Sequence, residues 1–254
     1  MFDLTDRVAL LTGSSRGMGA AMAEGLAEQG AKVVISSRKL DACEATAQAI
    51  NEKVGREAAI AIACNAGYKD QLQALVDETH SKLGKIDILV GNAGVNPFYG
   101  SMNDITDGAY EKTMTTNVQS NLWLCNMVKP DMEEKKQGSI LITASVGAFS
   151  PSTTLGTYNI SKMAAIALVR NLAAEWGPLG IRVNALCPGL VKTDFAKALW
   201  DNPKAAKQAI DRTPLRRLGE AEDLKGIAAF IASDEASWIT GQALTICGGT
   251  DMFR

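Results

Sequence analysis

The stretch Val8-Ala9-Leu10-Leu11-Thr12-Gly13-Ser14-Ser15-Arg16-Gly17-Met18-Gly19 passes from an unbroken apolar run through a glycine-rich turn into a helical pattern that runs to Gln29 and is closed by Gly30. Apolar residues in succession, without alternation, suit a strand covered on both faces. The glycines allow a tight turn. The first amides of the helix would then face an anion such as a pyrophosphate with the favourable end of the helix dipole. A glycine-rich turn alone is weak evidence, but a strand before it and a helix after it make a dinucleotide site the leading reading.

The same alternation continues outward from this stretch. Strand candidates lie at Arg7–Thr12, Lys32–Ser36, Ala58–Ala63, Asp87–Gly91, Ser139–Thr143, Arg182–Cys187 and Ala243–Ile246. Helical patterns lie near Gly17–Gln29, Asp41–Lys53, Asp70–Leu83, Asp107–Lys136, Thr157–Trp176 and Glu220–Ala232. Gly177-Pro178 closes the fifth of these, and Pro130 predicts a kink or break late in the fourth. Strand–helix alternation with right-handed crossovers gives a doubly wound α/β fold: a Rossmann-type three-layer sandwich on a seven-stranded parallel sheet. No linker, repeat or low-complexity tract divides residues 1–254, so one domain is expected. The irregular segment 193–217 is placed as a lid over the carboxyl edge of the sheet.

Composition narrows the function classes. The chain has 254 residues, 46% hydrophobic, with a net charge of −2. That balance offers no basic field for nucleic acid. Five dispersed cysteines without metal-ligand spacing read as reduced thiols, and the single histidine, His80, cannot build a zinc site. No apolar run approaches the ~20 residues needed to cross a bilayer, and no basic-then-apolar signal pattern opens the chain. The ending Asp-Met-Phe-Arg is not a Ser-Lys-Leu-type address. A cytoplasmic protein is the expectation.

The chemistry concentrates in Tyr158-Asn159-Ile160-Ser161-Lys162, with Ser145 thirteen residues earlier. Four positions are about one helical turn, so phenol and ammonium share a face. A phenol with a reference pKa near ~10 is a poor acid at neutral pH, and a neighbouring cation should draw that value toward the working range. Thr143, Ser150 and Ser161 are nearby hydroxyls that compete with Ser145 for the role of polarising group; Ser161 should point off the tyrosine face and serve capping or packing. At the end of the second strand an NAD site would want a carboxylate for the ribose 2′-hydroxyl. The chain has Ser36-Ser37-Arg38-Lys39 instead, which suits the 2′-phosphate of NADP(H) ahead of NAD(H), with Arg16 as a second cation.

Taken in order, Thr12-Gly13-x-x-x-Gly17-x-Gly19, Asn92-Ala93-Gly94, Asn117, Ser145, Tyr158-x-x-x-Lys162 and Pro188-Gly189 with Thr193 resemble the short-chain dehydrogenase/reductase family over nearly the whole chain. Val95-Asn96-Pro97-Phe98-Tyr99-Gly100, Ala148-Phe149-Ser150-Pro151 and Arg217-Leu218-Gly219-Glu220 look like its NADP-dependent carbonyl reductase branch. The resemblance implies a catalytic set of Asn117, Ser145, Tyr158 and Lys162. Tyr158 would be the general acid in ketone reduction, and Ser145 would bind the substrate oxygen. Lys162 would hold the ribose hydroxyls, and Asn117 would extend the proton path to solvent. It further implies a cofactor lining of Gly13, Ser15, Arg16, Gly17, Met18, Gly19, Ser37, Arg38, Asn65, Asn92, Ala93, Gly94, Tyr158, Lys162, Pro188, Gly189, Leu190, Val191 and Thr193. Thr193 would meet the nicotinamide carboxamide, and Asn92 would keep the sheet and the cofactor wall in register. A homotetramer paired through the long helical patterns is implied too, with Trp123, Leu124 and Met127 as apolar residues on more than one face.

Three departures stand out. The usual Asn-Asn-Ala-Gly reads Gly91-Asn92-Ala93-Gly94, Asn65 replaces the acid common after the third strand, and the peroxisomal ending of animal members is absent. Apart from the resemblance, Val95, Phe98, Phe149, Leu155, Leu190, Phe195, Leu199 and Trp200 fall on the loops after the fourth, fifth and sixth strands, at the carboxyl edge of the sheet, and together with Ser145 and Tyr158 suggest an apolar ketone or aldehyde. The rivals are a 3-oxoacyl-carrier-protein reductase, for which Arg212, Arg216 and Arg217 could meet a phosphopantetheine, and a catalytically silent dinucleotide-binding protein.

Overall fold

Residues 1–253 are described in the computed structural model; Arg254, the last residue of the terminal tetrapeptide discussed above, lies outside the described residues. Seven strands form one parallel sheet: β1 (Val8–Thr12), β2 (Lys32–Ser37), β3 (Ala59–Ala63), β4 (Ile88–Gly91), β5 (Gly138–Thr143), β6 (Ile181–Pro188) and β7 (Ala243–Ile246), in the order β3-β2-β1-β4-β5-β6-β7. Between them run α1 (Gly17–Glu28), α2 (Leu40–Val54), α3 (Lys69–Leu83), α4 (Asp107–Met114), α5 (Ser120–Lys135), α6 (Gly156–Trp176), the short α7 (Lys197–Trp200), α8 (Pro203–Arg212) and α9 (Lys225–Ala232). Among the described residues no helix is long and apolar enough to cross a membrane.

Strand pleating divides the core in two. Leu10 points to the layer built from α3, α5 and α6, where it meets Leu72, Leu124, Val128 and Ile166. Its neighbours Ala9 and Leu11 point to the layer of α1, α2 and α9, with Met22, Leu26, Cys43 and Ile231. This two-sided burial explains the apolar runs. It also fixes register, because a slip of one residue would exchange the two sets.

One expectation is corrected. Pro130 neither breaks nor ends its helix: α5 runs through it to Lys135. Pro130 and Asn126 are both exposed, so the carbonyl deprived of an N–H partner faces water. The irregularity falls earlier, at Thr115–Gln119, which forms a π turn between α4 and α5. Leu124 is buried, and Trp123 and Met127 pack against the core. The large apolar residues left exposed on α4, α5 and α6 are Tyr110, Leu122, Ile160 and Met163.

Candidate active site

Strand order reverses between β1 and β4, which opens a crevice above their carboxyl ends. The glycine-rich turn leaves β1 on one side of it and Asn92-Ala93-Gly94 leaves β4 on the other. Asn92 joins the two walls: its Nδ2 donates to the carbonyls of Thr12 (3.3 Å) and Gly13 (2.9 Å), and its Oδ1 accepts from Thr143 Oγ1 at 3.1 Å. One side chain thus pins β1, β4 and β5 together beside the crevice.

The catalytic candidates converge there. Lys162, buried on α6, donates from Nζ to the carbonyl of Thr143 at 2.7 Å and lies over the Tyr158 ring, 5.6 Å from its centroid. Burial pushes the ammonium down to about 8. Ser145, just beyond β5, accepts the N–H of Gly147 at 3.0 Å, and its side chain hydrogen-bonds the Tyr158 phenol, so both hydroxyls address one point in the crevice. Asn117, buried in the π turn, accepts the Val95 N–H (2.8 Å) and donates to the Val95 carbonyl (3.0 Å) and to Ser161 Oγ (2.9 Å). A Cβ at Gly94 would lie 3.5 Å from both Asn117 Oδ1 and Lys162 Nζ, so glycine keeps open the space that these two groups share.

The expected acidification of the phenol is not what this geometry gives. Burial pushes Tyr158 up to about 12, opposed only by hydrogen bonding from the Ser145 side chain. Lys162 fails to offset this because its ammonium is spent on the Thr143 carbonyl over the ring, and is itself pushed toward neutrality. Tyr158 therefore stands protonated at neutral pH. The competing hydroxyls are engaged elsewhere: Thr143 with Asn92, and Ser161 with the Tyr158 carbonyl (2.7 Å) and Asn117. The Ser150 carbonyl holds Asn159 Nδ2 at 2.9 Å.

The turn after β1 has the form of a phosphate cradle. Gly13 and Gly17 adopt φ of +63° and +57°, and no side chain caps α1, whose first amides are left for a ligand. A Cβ at Gly19 would lie 2.3 Å from the Gly13 carbonyl, so helix and turn can close up only around glycine. Ser14 Oγ receives the Ser36 N–H at 2.8 Å, and Thr46 Oγ1 donates to the Ser15 carbonyl at 2.8 Å, tying the turn to β2 and α2. Met18 packs against the core layer below. These residues fit a dinucleotide, with its pyrophosphate at the α1 amides.

At the adenosine end the picture is mixed. Arg38 is exposed and has no ion-pair partner among the described residues, so it is free for a phosphate. Arg16 is not: its guanidinium pairs with Asp194 at 2.8 Å. Both groups are well exposed, so the pair is weak and readily exchanged. Ser37 Oγ lies 3.2 Å from Cys43 Sγ, and Asn65 Oδ1 caps its own turn through the Gly67 N–H at 3.2 Å.

Across the crevice, the segment following Pro188 and Gly189 forms a loop with joined ends. The Gly189 N–H donates to the Ile246 carbonyl at 3.0 Å, and Gly219 exchanges backbone hydrogen bonds with Leu190 (3.0 Å) and Lys192 (2.9 Å), bridging at Val191. Thr193 faces Gly17, its Cγ2 3.2 Å from where a Cβ there would sit. Its carbonyl accepts the indole N–H of Trp200 at 2.9 Å. Phe195 meets Tyr158 with ring centroids 6.1 Å apart. The other expected substrate residues are split. Val95 is held by Asn117, Phe98 folds back over Gly100, Phe149 packs against the core, and Leu155 and Leu199 are half-buried.

Sequence reasoning missed Asp194, Asn121 and Asn159. Asp194 follows Thr193 directly, and Asn121 stands four residues after Asn117, a spacing that could have drawn notice. Asn159 Oδ1 is buried without a partner, 2.6 Å from where a Cβ on Gly147 would sit, and only tertiary packing puts it against the Ser145 turn.

Known proteins share this arrangement. Residues 13–251 match the family model described as enoyl-(acyl carrier protein) reductase. The human protein named dehydrogenase/reductase SDR family member 4 is 42% identical over 250 residues, spanning 97% of this chain and 88% of that one; its rabbit counterpart is 41% identical over 249 residues, spanning 97% and 94%. Among solved structures, a gluconate 5-dehydrogenase from Burkholderia cenocepacia in complex with NADP and tartrate superposes with a TM-score of 0.93 at 31% identity, covering 99% of this chain and 97% of the other. A 7α-hydroxysteroid dehydrogenase complexed with NADH and 7-oxo glycochenodeoxycholic acid superposes with a TM-score of 0.91 at 36% identity, covering 98% and 95%. A phenol hydrogen-bonded to a serine hydroxyl and a buried lysine beside a glycine cradle, on a fold shared with such relatives, are those of an oxidoreductase acting on CH–OH groups, and the chain belongs to the short-chain dehydrogenase/reductase family.

Proposed function

We propose that the protein reduces a ketone or aldehyde on a largely apolar molecule to the alcohol, with NADPH as the preferred cofactor, and runs in reverse with NADP⁺. The observation that carries this reading is the convergence of the Tyr158 phenol, the Ser145 side chain that hydrogen-bonds it and the buried Lys162 over its ring, beside the glycine turn. A phenol that keeps its proton at neutral pH is poised to deliver it to an alkoxide forming within reach. Ser145, its lone pair occupied by Gly147, donates its proton to the same oxygen and stabilises the developing charge.

The reduced nicotinamide, when bound, supplies the hydride. Gly13, Gly17 and Gly19 admit its pyrophosphate, Lys162 stands ready for the ribose hydroxyls, and Thr193 for the carboxamide. Asn117 continues the proton path beyond Lys162 to solvent. The preference for NADPH rests on Arg38, unpaired beyond β2 where no acid precedes Asp41, and the NADP-bound neighbour is consistent with it.

Segment 193–217 serves as the lid, with Phe195 closing over Tyr158 and Trp200 and Leu199 behind it, and the chain works as one domain. An apolar ketone suits this wall better than a dicarboxylate. The second reading is a 3-oxoacyl-[acyl-carrier-protein] reductase, but Arg217, one of the cations that would meet a phosphopantetheine, is committed to Asp223 through contacts of 2.6 and 2.7 Å. The exposed Leu122, Ile160 and Met163 on the long helices support a homotetramer, and five free cysteines support a place in the reducing cytoplasm.

The test is turnover with NADPH and NADH over a panel of ketones, diketones, retinoids and acyl thioesters. NADPH-linked reduction of uncharged ketones is expected to exceed that of acetoacetyl thioesters. The opposite ranking would move the assignment to the acyl-carrier reading, and no turnover at all would leave a dinucleotide-binding protein. Sedimentation at micromolar concentration checks the tetramer.

A further inference from the structure

The family motif before Asn92 carries Gly91 in place of the usual Asn, and the structure gives the reason. Asn121 is buried on the first turn of α5, and its Oδ1 lies only 2.2 Å from where a Cβ on Gly91 would stand, with Ile142 Cδ1 at 2.8 Å. No side chain at 91 can coexist with Asn121 in this position. The other end of the same amide donates from Nδ2 to the Asn117 carbonyl at 2.8 Å.

That bond ties the main chain of Asn117 to the side chain of Asn121. Both Nδ2 protons of Asn117 are used, on Val95 and Ser161, and its Oδ1 takes the Val95 N–H. It also sits in the π turn Thr115–Gln119, where the widened backbone no longer sets carbonyl directions as regularly as an α-helix does. A side-chain donor on that carbonyl holds the backbone there in one arrangement.

We infer that Asn121 is a positioning residue for proton transfer: through its hydrogen bond to the Asn117 carbonyl it holds Asn117 in place in the π turn, and Gly91 is the space that lets it do so. This deepens the proposed reduction and rests on it. Asn121 touches neither substrate nor cofactor; it acts through Asn117.

Two substitutions separate the donor from the space. Asn121→Ala removes the amide and clashes with nothing; Asn121→Asp keeps the size and sets an acceptor against the carbonyl. With acetophenone, or the best carbonyl compound of the panel, each should lower kcat about tenfold, the scale of one oriented hydrogen bond, while both KM values stay within about twofold. The solvent deuterium isotope effect on kcat should rise and the pH profile of kcat should shift, which loss of packing alone would not cause. Gly91→Ala should lower Tm in the parent but much less on the Asn121→Ala background, without restoring kcat there.

The inference is overturned by Asn121→Ala with parental kcat and pH profile, by kcat losses that only track the folded fraction in circular dichroism, or by Gly91→Ala equally costly in both backgrounds. Parent turnover that survives Tyr158→Phe, or no parent turnover, removes the underlying reading and this inference with it. Parent turnover that needs Tyr158 but ignores Asn121 removes this inference alone.

Discussion

Lys162 Nζ reaches the Thr143 carbonyl at 2.7 Å while standing 5.6 Å from the centre of the Tyr158 ring. The lysine is thereby attached to the end of β5 and covers the ring of the residue four positions earlier on α6. One strand end and one helical turn fix the geometry of both titrating groups, and the reactive pair inherits the rigidity of the sheet.

Tyr158→Phe removes the proton donor and leaves the ring, and so the contact with Phe195. It should reduce kcat by roughly 100-fold or more while leaving NADPH affinity near the parental value. Steady-state rates beside a fluorescence titration with NADPH check this, and retained kcat refutes the assignment.

Lys162 provides a pH signature. Its ammonium is charged below about 8 and neutral above, so kcat/KM for NADPH in the reductive direction should fall as pH rises through that value. In Lys162→Met the profile should be low and lack that step. The sign for stability is opposite. A lysine whose folded pKa lies below its unfolded value weakens the fold fully below about 8, and the deficit fades as pH rises toward 10.5. Lys162→Met should therefore raise Tm at pH 7, with the gain fading toward pH 10.5. Calorimetry at the two pH values decides.

Arg38→Asp should lower kcat/KM for NADPH by about tenfold or more and leave NADH use unchanged or improved, because a 2′-phosphate would then meet a carboxylate. Arg16→Ala should cost less, since Asp194 already competes for that guanidinium at 2.8 Å. Equal values for the two cofactors in the parent would contradict the preference.

Phe195→Ala removes the ring 6.1 Å from that of Tyr158. KM for bulky apolar ketones should rise several-fold, and that for a small ketone should change little, because the lost contact is apolar area on the lid side of the crevice. A uniform fall in kcat with unchanged KM would show that Phe195 acts on the tyrosine and not on the substrate.

The strands were legible because burial on both faces leaves uninterrupted apolar runs, as Ala9, Leu10 and Leu11 show by dividing between two core layers. The glycine-rich turn, the Tyr158–Lys162 spacing and Ser145 were legible because their chemistry depends on local geometry: a left-handed backbone, one helical turn, one strand end. From sequence alone the parallel fold and the reaction class were already determined.

Tertiary structure decided what depends on residues far apart in the chain. It turned Arg16 toward Asp194 and placed the Asn121 amide in the space left by Gly91. It kept α5 intact through Pro130 by turning that face to water. It also reversed the expected direction of the Tyr158 shift. Spacing says that a cation is near, but whether burial or charge dominates depends on how much water the assembled walls exclude, and no local pattern records that.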